Sequence, residues 1–159
     1  MRGRPRRHPL GRVAQAFPRI QERVPGLRMV VVTGPRIDPA AVAAPAGVEV
    51  RGYLPDLDEH LAACDLGVVQ GGLTTTMELV AAGRPFVYVP LAQHFEQQIH
   101  VPHRLAQYRA GRRLDYADLA DPDRFAEVVT EAIGRPAGSL PVETGGAGRA
   151  ADHLLELLG

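Results

Sequence analysis

Short apolar runs alternate with longer segments of helical periodicity along most of the chain. The runs at residues 29–32 and 86–89 are continuously apolar, which is typical of strands covered on both faces in a parallel sheet. The pattern predicts strands at 29–33, 48–53, 66–70, 86–90 and 112–116. Because helical segments separate these strands, the pattern predicts an α/β fold with a Rossmann-like, doubly wound parallel sheet.

Helices are predicted at 10–23, 57–63, 75–82, 95–109, 122–133 and 149–158. Pro18 is expected to kink the first of these helices. Asp56 and Asp121 precede two of the others, where an N-cap residue is expected. The last helix carries an apolar face that we expect to dock on the domain, formed by Ala150, Leu154, Leu155 and Leu158.

Composition and charge narrow the class of protein. The 159 residues suit one domain, for which we predict residues 10–159, after a disordered basic segment at 1–9. The 18 basic residues balance 18 acidic ones, which argues against nucleic-acid binding. The single cysteine, Cys64, permits no disulfide within the chain and fits a cytoplasmic protein, and no apolar run approaches the length of a membrane span.

The residues that follow the third predicted strand are suited to an anion. They are Gly71, Gly72, Leu73, Thr74 and Thr75. Glycines let a ligand approach the backbone, and the N-terminus of the following helix favours negative charge, most simply a diphosphate. Glu78, one turn further on, is placed to accept hydrogen bonds from a vicinal diol such as a ribose. Thr75 and Glu78 also fit a capping box, which needs no ligand.

Polar side chains also follow the fourth predicted strand. Glu96, Gln97 and Gln98 offer the directional hydrogen bonds that sugar hydroxyls require. The alternative is a polar helix N-terminus in which Glu96 interacts with the helix dipole. Because parallel strands end at the same edge of a sheet, both polar segments are expected at that edge.

Together, the motifs at 70–78, 82–85, 89–90 and 96–98 resemble the C-terminal domain of family 28 glycosyltransferases, and they are similar to the signature of plant-type UDP-sugar transferases. Gln70 departs from the plant-type signature, which has histidine at this position. The resemblance implies the C-terminal half of a GT-B fold. In this family a strand precedes the first helix. Only Arg-rich residues precede Leu10 here, so the fold is expected to lack that strand.

The resemblance also implies a role for each matched residue. Gly71, Gly72, Leu73, Thr74 and Thr75 would hold the donor diphosphate, and Glu78 would hold the ribose. Tyr53 and Leu54 would flank the base, and the donor sugar would contact Glu96, Gln97 and Gln98. No cofactor beyond the UDP-sugar substrate is implied. The loosely spaced His94, His100 and His103 are not expected to bind a metal, because Pro102 disrupts the helix that would align them.

The implied function is donor binding for a hexosyltransferase that passes the sugar from a UDP-sugar to an acceptor hydroxyl. No catalytic residue is predicted in this chain, because the acceptor and the general base would lie on an N-terminal domain or a separate subunit. The isolated chain is therefore expected to be inactive. The implied location is the cytoplasm or the inner face of the membrane, with peripheral membrane contact made through the partner.

Three alternatives to this function are compatible with the sequence. They are a non-catalytic nucleotide-sugar-binding module, a truncated gene product, and half of a sugar-nucleotide epimerase.

Overall fold

The computed structural model describes residues 9–158; residues 1–8, for which disorder is predicted, and residue 159 lie outside the described residues. The strands are β1 (Met29–Val32), β2 (Val48–Arg51), β3 (Gly67–Gln70), β4 (Phe86–Val89) and β5 (Arg112–Arg113). The helices are α1 (Pro9–Gln15), α2 (Phe17–Arg23), α3 (Leu57–Ala63), α4 (Leu73–Ala81), α5 (Val101–Gln107), α6 (Tyr116–Ala120), α7 (Pro122–Ala132) and α8 (Gly146–Leu158). This alternation confirms the predicted α/β class.

All strand pairs are parallel, and they form two groups. In the first group β1 pairs with β2, with Met29 opposite Val48. In the second group the order is β3-β4-β5, with Gly67 opposite Phe86. No ladder joins β1 to β3 within the described residues, so the strands form two separately paired groups.

Helices cover both faces of the three-stranded group. Val87 and Val89 of β4 pack with residues of α2, α6 and α7. Phe86 and Tyr88, which alternate with them, pack with residues of α4 and α5 on the opposite face. All four residues of β4 are consequently buried, which explains why its sequence is continuously apolar.

Several predicted elements differ from those observed. The first helix is divided at Ala16 into α1 and α2, and Pro18 occupies the first turn of α2. The predicted strand 112–116 ends at Arg113. Leu114 still donates its N–H to the Tyr88 carbonyl (3.0 Å), but the chain then turns into α6 at Tyr116. The predicted helix 95–109 begins as a π-helical turn, Glu96–His100, before α5.

The two predicted N-caps have different outcomes. Asp121 caps α7, since its Oδ1 accepts from the N–H groups of Asp123 (3.0 Å) and Arg124 (3.3 Å). Asp56 precedes α3 as predicted but makes no capping bond, because its backbone is left-handed (φ 52°). The docking prediction for the last helix is wrong for the described residues: none of the side chains of α8 is buried, and Leu154 and Leu155 are 61% and 68% exposed.

Across residues 9–158, no helix has both the length and the apolar character that crossing a membrane would require.

Candidate functional site

A cleft of about 490 Å³ opens at the carboxyl ends of β1 and β2 and faces the beginning of α4. We call it the main cleft. Its walls are Val32 with the turn that follows β1, residues 52–54 after β2, residues 56–58 at the beginning of α3, and Thr75 and Glu78 of α4. The main cleft therefore lies where ligands bind in doubly wound sheets.

The beginning of α4 is open to a ligand. Its N-cap is Gly72, and no side chain caps the helix. Thr76 does not cap it either, because its Oγ1 donates to the carbonyls of Gly72 (2.8 Å) and Leu73 (3.0 Å). The capping-box alternative is not realised, since it required Thr75 as the N-cap. The first N–H groups of α4 thus remain available to an anion.

The two glycines before α4 differ in what they do. A Cβ on Gly71 would lie 3.3 Å from Cα of Pro90, so Gly71 lets the end of β3 pack closely against the end of β4. A Cβ on Gly72 would meet no atom within 4 Å. Close packing within the chain therefore explains why residue 71 is a glycine, whereas Gly72 leaves the approach to the α4 N-terminus clear.

The residues predicted for the base and the ribose share the main cleft. Tyr53 and Leu54 lie on the β2 side, and Thr75 and Glu78 lie on the α4 side. The Tyr53 ring is 75% exposed, so one face is free to stack on a planar group. The other predicted diphosphate residues, Gly71, Gly72, Leu73 and Thr74, lie beside the cleft at the α4 N-terminus and do not line it.

Sequence reasoning missed two acidic residues of the main cleft, Asp56 and Asp58. Asp56 was interpreted as a helix cap, but its left-handed backbone leaves the carboxylate without a capping bond. With Glu78 they make this end of the cleft acidic. The sequence signal for this acidic region was the pair of aspartates around the beginning of α3. That signal does not distinguish a ligand site from an ordinary helix start, because acidic residues are also common in a first helical turn.

The segment after β4 forms a separate region. Gln97 is buried, and its Oε1 accepts from the Leu91 N–H (2.9 Å). Gln98 donates from Nε2 to the Leu91 carbonyl (2.9 Å). These two glutamines, predicted to contact a sugar, therefore fix the backbone of Leu91, while Glu96 is exposed. None of the three lines the main cleft.

Arg113 of β5 fixes the orientation of one of these amides. Its Nη2 donates to Oε1 of Gln98 (2.8 Å). Because a guanidinium can only donate, the Gln98 oxygen must face Arg113 and its nitrogen must face Leu91. Burial raises the pKa of the neighbouring Tyr88, with Arg113 partly opposing the effect, so that hydroxyl stays protonated at neutral pH.

A second cleft of about 510 Å³ lies beside this segment and is lined by residues 91–94 and Tyr116. The histidines near it do not converge: His100 contacts the Phe95 ring edge-on (centroids 5.2 Å apart), and His103 Nε2 lies 3.3 Å from Gln107 Nε2. Among the described residues, no group of three or more His, Cys, Asp or Glu side chains is placed to hold a metal ion.

Burial raises the pKa of Cys64, whose thiol donates to the Leu61 carbonyl (3.1 Å), so a nucleophilic role is not favoured.

The glycosyltransferase family 28 C-terminal domain matches residues 12–141. The chain belongs to this family. The match includes both the α4 N-terminus and the glutamine segment, so the two polar regions occur within one family domain.

Curated relatives are similar to this domain. The UDP-N-acetylglucosamine–N-acetylmuramyl-(pentapeptide) pyrophosphoryl-undecaprenol N-acetylglucosamine transferase of Acidiphilium cryptum is 30% identical over 132 residues, which cover 78% of this chain and 34% of that protein. The protein of the same name from Frankia casuarinae is 33% identical over 100 residues, covering 60% of this chain and 27% of that protein. The chain thus spans between 27% and 34% of the length of these relatives.

Solved glycosyltransferases share the fold. A spinosyn rhamnosyltransferase complexed with thymidine diphosphate superposes with a TM-score of 0.60 at 25% identity, covering 77% of this chain and 31% of that one. The calicheamicin glycosyltransferase CalG4 superposes with a TM-score of 0.70 at 24% identity, covering 96% of this chain and 39% of that one, and this likeness shows the fold alone. The predicted GT-B relationship is confirmed.

Proposed function

We propose that this chain is the donor-binding domain of a hexosyltransferase and that it holds a UDP-sugar in the main cleft. The observation that carries the proposal is that one cleft joins the first turn of an uncapped helix to an exposed tyrosine and to a carboxylate with no partner among the described side chains. Each element suits one part of a nucleotide. Thr75 at the beginning of α4 would meet the phosphate, Tyr53 the base, and Glu78 the ribose.

Charge divides the site into two parts. Asp56, Asp58 and Glu78 make the end near α3 acidic, which is unfavourable for a phosphate but suits hydroxyl and N–H donors. The α4 N-terminus supplies N–H groups and the positive end of the helix dipole. A nucleotide therefore fits in one direction, with its diphosphate at Gly72 and its ribose and base towards Tyr53.

The donor sugar would extend from the diphosphate towards the segment after β4. The side-chain oxygen of Gln97 already accepts from the Leu91 N–H, but its amide nitrogen remains able to donate to a sugar hydroxyl. Glu96 and Gln98 would then shape the same wall. In this proposal Gln97 and Gln98 serve two purposes, since they hold the Leu91 loop as well as facing the sugar.

Transfer also needs an acceptor and a general base, and we assign neither to a residue of this chain. An N-terminal domain or a separate subunit would supply both, and peripheral membrane contact would be made through that partner in the cytoplasm. No cofactor is proposed beyond the UDP-sugar substrate. An epimerase half is not favoured, because the family match and the named relatives are transferases.

The test is the UDP affinity of the full chain and of Glu78→Gln, each measured by NMR titration. Loss of a charged hydrogen bond to the ribose should weaken binding by about 1.5–3 kcal/mol, or roughly tenfold or more. The matched control is Glu59→Gln, since Glu59 is exposed on α3 outside the main cleft. We expect Glu78→Gln also to lose the preference for UDP over 2′-deoxy-UDP.

If Glu78→Gln binds UDP as tightly as Glu59→Gln does, the assignment of the ribose to Glu78 is wrong. A lower free energy of unfolding with unchanged affinity would instead indicate a structural role for Glu78.

A further inference from the structure

Side chains hold the Leu91 loop, residues 91–98, which follows β4. The Leu91 N–H donates to Oε1 of Gln97 (2.9 Å). The Leu91 carbonyl accepts from Nε2 of Gln98 (2.9 Å) and from the His94 N–H (3.1 Å). The Gln98 N–H in turn donates to the His94 carbonyl (3.0 Å). Because both glutamines meet at Leu91, releasing one of them loosens the contact that positions the other.

The side-chain amide of Gln98 can be placed in two orientations, because its oxygen and its NH2 group are nearly equal in size. Only one orientation suits the Leu91 carbonyl, which accepts from the nitrogen but would be repelled by the oxygen. Arg113 removes the choice, since its Nη2 donates to Oε1 of Gln98 (2.8 Å) and a guanidinium has no acceptor. Such a bond is charge-assisted and therefore stronger than one between neutral groups. Arg113 thus favours the orientation in which Gln98 holds Leu91.

The sheet fixes the position of Arg113. In the ladder between β4 and β5, Arg113 lies opposite Tyr88, which is buried. The next residue, Leu114, donates its N–H to the Tyr88 carbonyl (3.0 Å). Nε of Arg113 donates to Oδ1 of Asp115 (3.2 Å), which holds one edge of the guanidinium while Nη2 reaches Gln98. A strand anchored on the core therefore sets the position of the Leu91 loop through one arginine.

Arg112 provides an internal comparison. Its side chain is 40% exposed, as is that of Arg113, and each arginine forms an ion pair. Successive residues of a strand point to opposite faces of the sheet. Arg112 accordingly donates to Glu131 of α7 (2.6 Å), whereas Arg113 donates to the Leu91 loop. Loss of Arg112 should therefore remove a similar surface ion pair without releasing the loop.

We propose that Arg113 is a positioning residue for the donor sugar: acting through Gln98, it fixes the Leu91 loop so that the amide nitrogen of Gln97 faces the sugar. The inference rests on the proposed function, which places the sugar beside these two glutamines. In this arrangement Arg113 does not touch the sugar. Its loss should lower selectivity for the sugar and leave UDP affinity unchanged, because Tyr53 and Glu78, which would hold the nucleoside, line the main cleft and lie outside the loop.

The test is an NMR titration of the full chain with UDP and with UDP-N-acetylglucosamine, UDP-glucose and UDP-galactose. We expect wild type to bind one of the three UDP-sugars more tightly than UDP, and the ratio of these two dissociation constants measures selectivity for the sugar. Arg113→Met should lower the ratio about fivefold, roughly the effect of one hydrogen bond, and should change the UDP dissociation constant by less than about twofold. Arg112→Met, the matched control, should leave both quantities unchanged. Arg113→Lys should restore most of the ratio, because an ammonium group also donates to the Gln98 oxygen.

A double substitution shows whether Arg113 acts through Gln98. In a Gln98→Met background, Arg113→Met should lower the ratio by less than about twofold, because the amide that it orients is already absent. A loss of about fivefold in that background would overturn the proposed route.

Hydrogen exchange of the free chain separates this inference from the proposed function. Arg113→Met should speed exchange of the Leu91 amide about fivefold or more relative to Arg112→Met. Equal exchange in the two variants would overturn the inference even if UDP binds. Equal loss of affinity for UDP and for the UDP-sugar in Arg113→Met would also overturn it, while donor binding would stand. If wild type binds no UDP, the proposed function is wrong and this role is wrong with it.

Discussion

The two halves of the sheet have similar sequences but different surroundings. In the three-stranded half all four residues of β4 are buried, with Val87 completely inaccessible. In the two-stranded half β1 is equally apolar, yet Val30 is 50% exposed. β4 has a strand on each side and helices on both faces, whereas β1 is paired with one strand. A continuous apolar run thus indicates that a strand is suited to burial, and the strands and helices around it decide whether burial occurs.

The difference extends to the loops that follow the strands. After β4, two glutamine side chains fix both backbone groups of Leu91. After β2, Tyr53 is 75% exposed, and within the described residues no side-chain hydrogen bond holds residues 52–54. The three-stranded half therefore contains the larger part of the buried core, and the two-stranded half carries the open wall of the main cleft.

The largest effect on the free energy of unfolding is expected when the same substitution is made in the two apolar strands, β4 and β1. Val87→Ala should lower the free energy of unfolding by about 1.5–3 kcal/mol, because a fully buried valine side chain is lost from the core. Val30→Ala should lower it by less than about 1 kcal/mol. Urea unfolding of both variants measures the contrast. Equal losses would mean that β1 is as well covered as β4.

The next effect concerns the loop after β4. Gln97→Ala removes the acceptor of the Leu91 N–H, which should lower the free energy of unfolding by about 1–3 kcal/mol. Gln93→Ala is the control, since Gln93 is exposed in the same segment.

We also expect Gln97→Ala and Gln98→Ala to impair discrimination among UDP-sugars more than UDP binding. If UDP binding falls to the same degree, the assignment of these glutamines to the sugar is wrong.

The smallest effect concerns the edge strand β5. Arg112 donates to Glu131 of α7 (2.6 Å), and this bond lowers the pKa of the Glu131 carboxyl. A lowered pKa means that the stabilisation is present above the unfolded-state value, about 4.3, and is lost as pH falls through the lower folded-state value. The difference in unfolding free energy between wild type and Glu131→Gln should therefore shrink in acid. A difference that grows as pH falls would contradict this ion pair.

Periodicity predicted the fold class and placed the four longer strands because each is a short Val-rich segment bounded by turn residues. It did not predict α6, since the fifth strand was expected to continue to Tyr116, whereas the chain turns into α6 after Leu114 has bonded to Tyr88. It also placed Leu154 in a docked helix, because an amphipathic pattern does not specify what will cover it.

For the site, the position of the glycines and Glu78 beyond the end of the third strand could be predicted from the sequence, whereas Tyr53 was implied only by the family resemblance. The roles of these residues towards a ligand stay predictions. The contacts of Gln97 and Gln98 with Leu91 could not, since nothing in the spacing distinguishes a side chain that binds a ligand from one that binds its own loop.

The central claim is that UDP occupies the main cleft, and the most direct test is to map amide chemical-shift changes as UDP is added to the full chain. We expect weak binding, in about the millimolar range, because no ladder joins β1 to β3 beside the α4 N-terminus within the described residues. We expect shifts at Tyr53, Leu54, Thr75 and Glu78, with none at Val128, which is buried on α7. Shifts confined to the second cleft around Leu91, or no shifts at any UDP concentration reached, would contradict it.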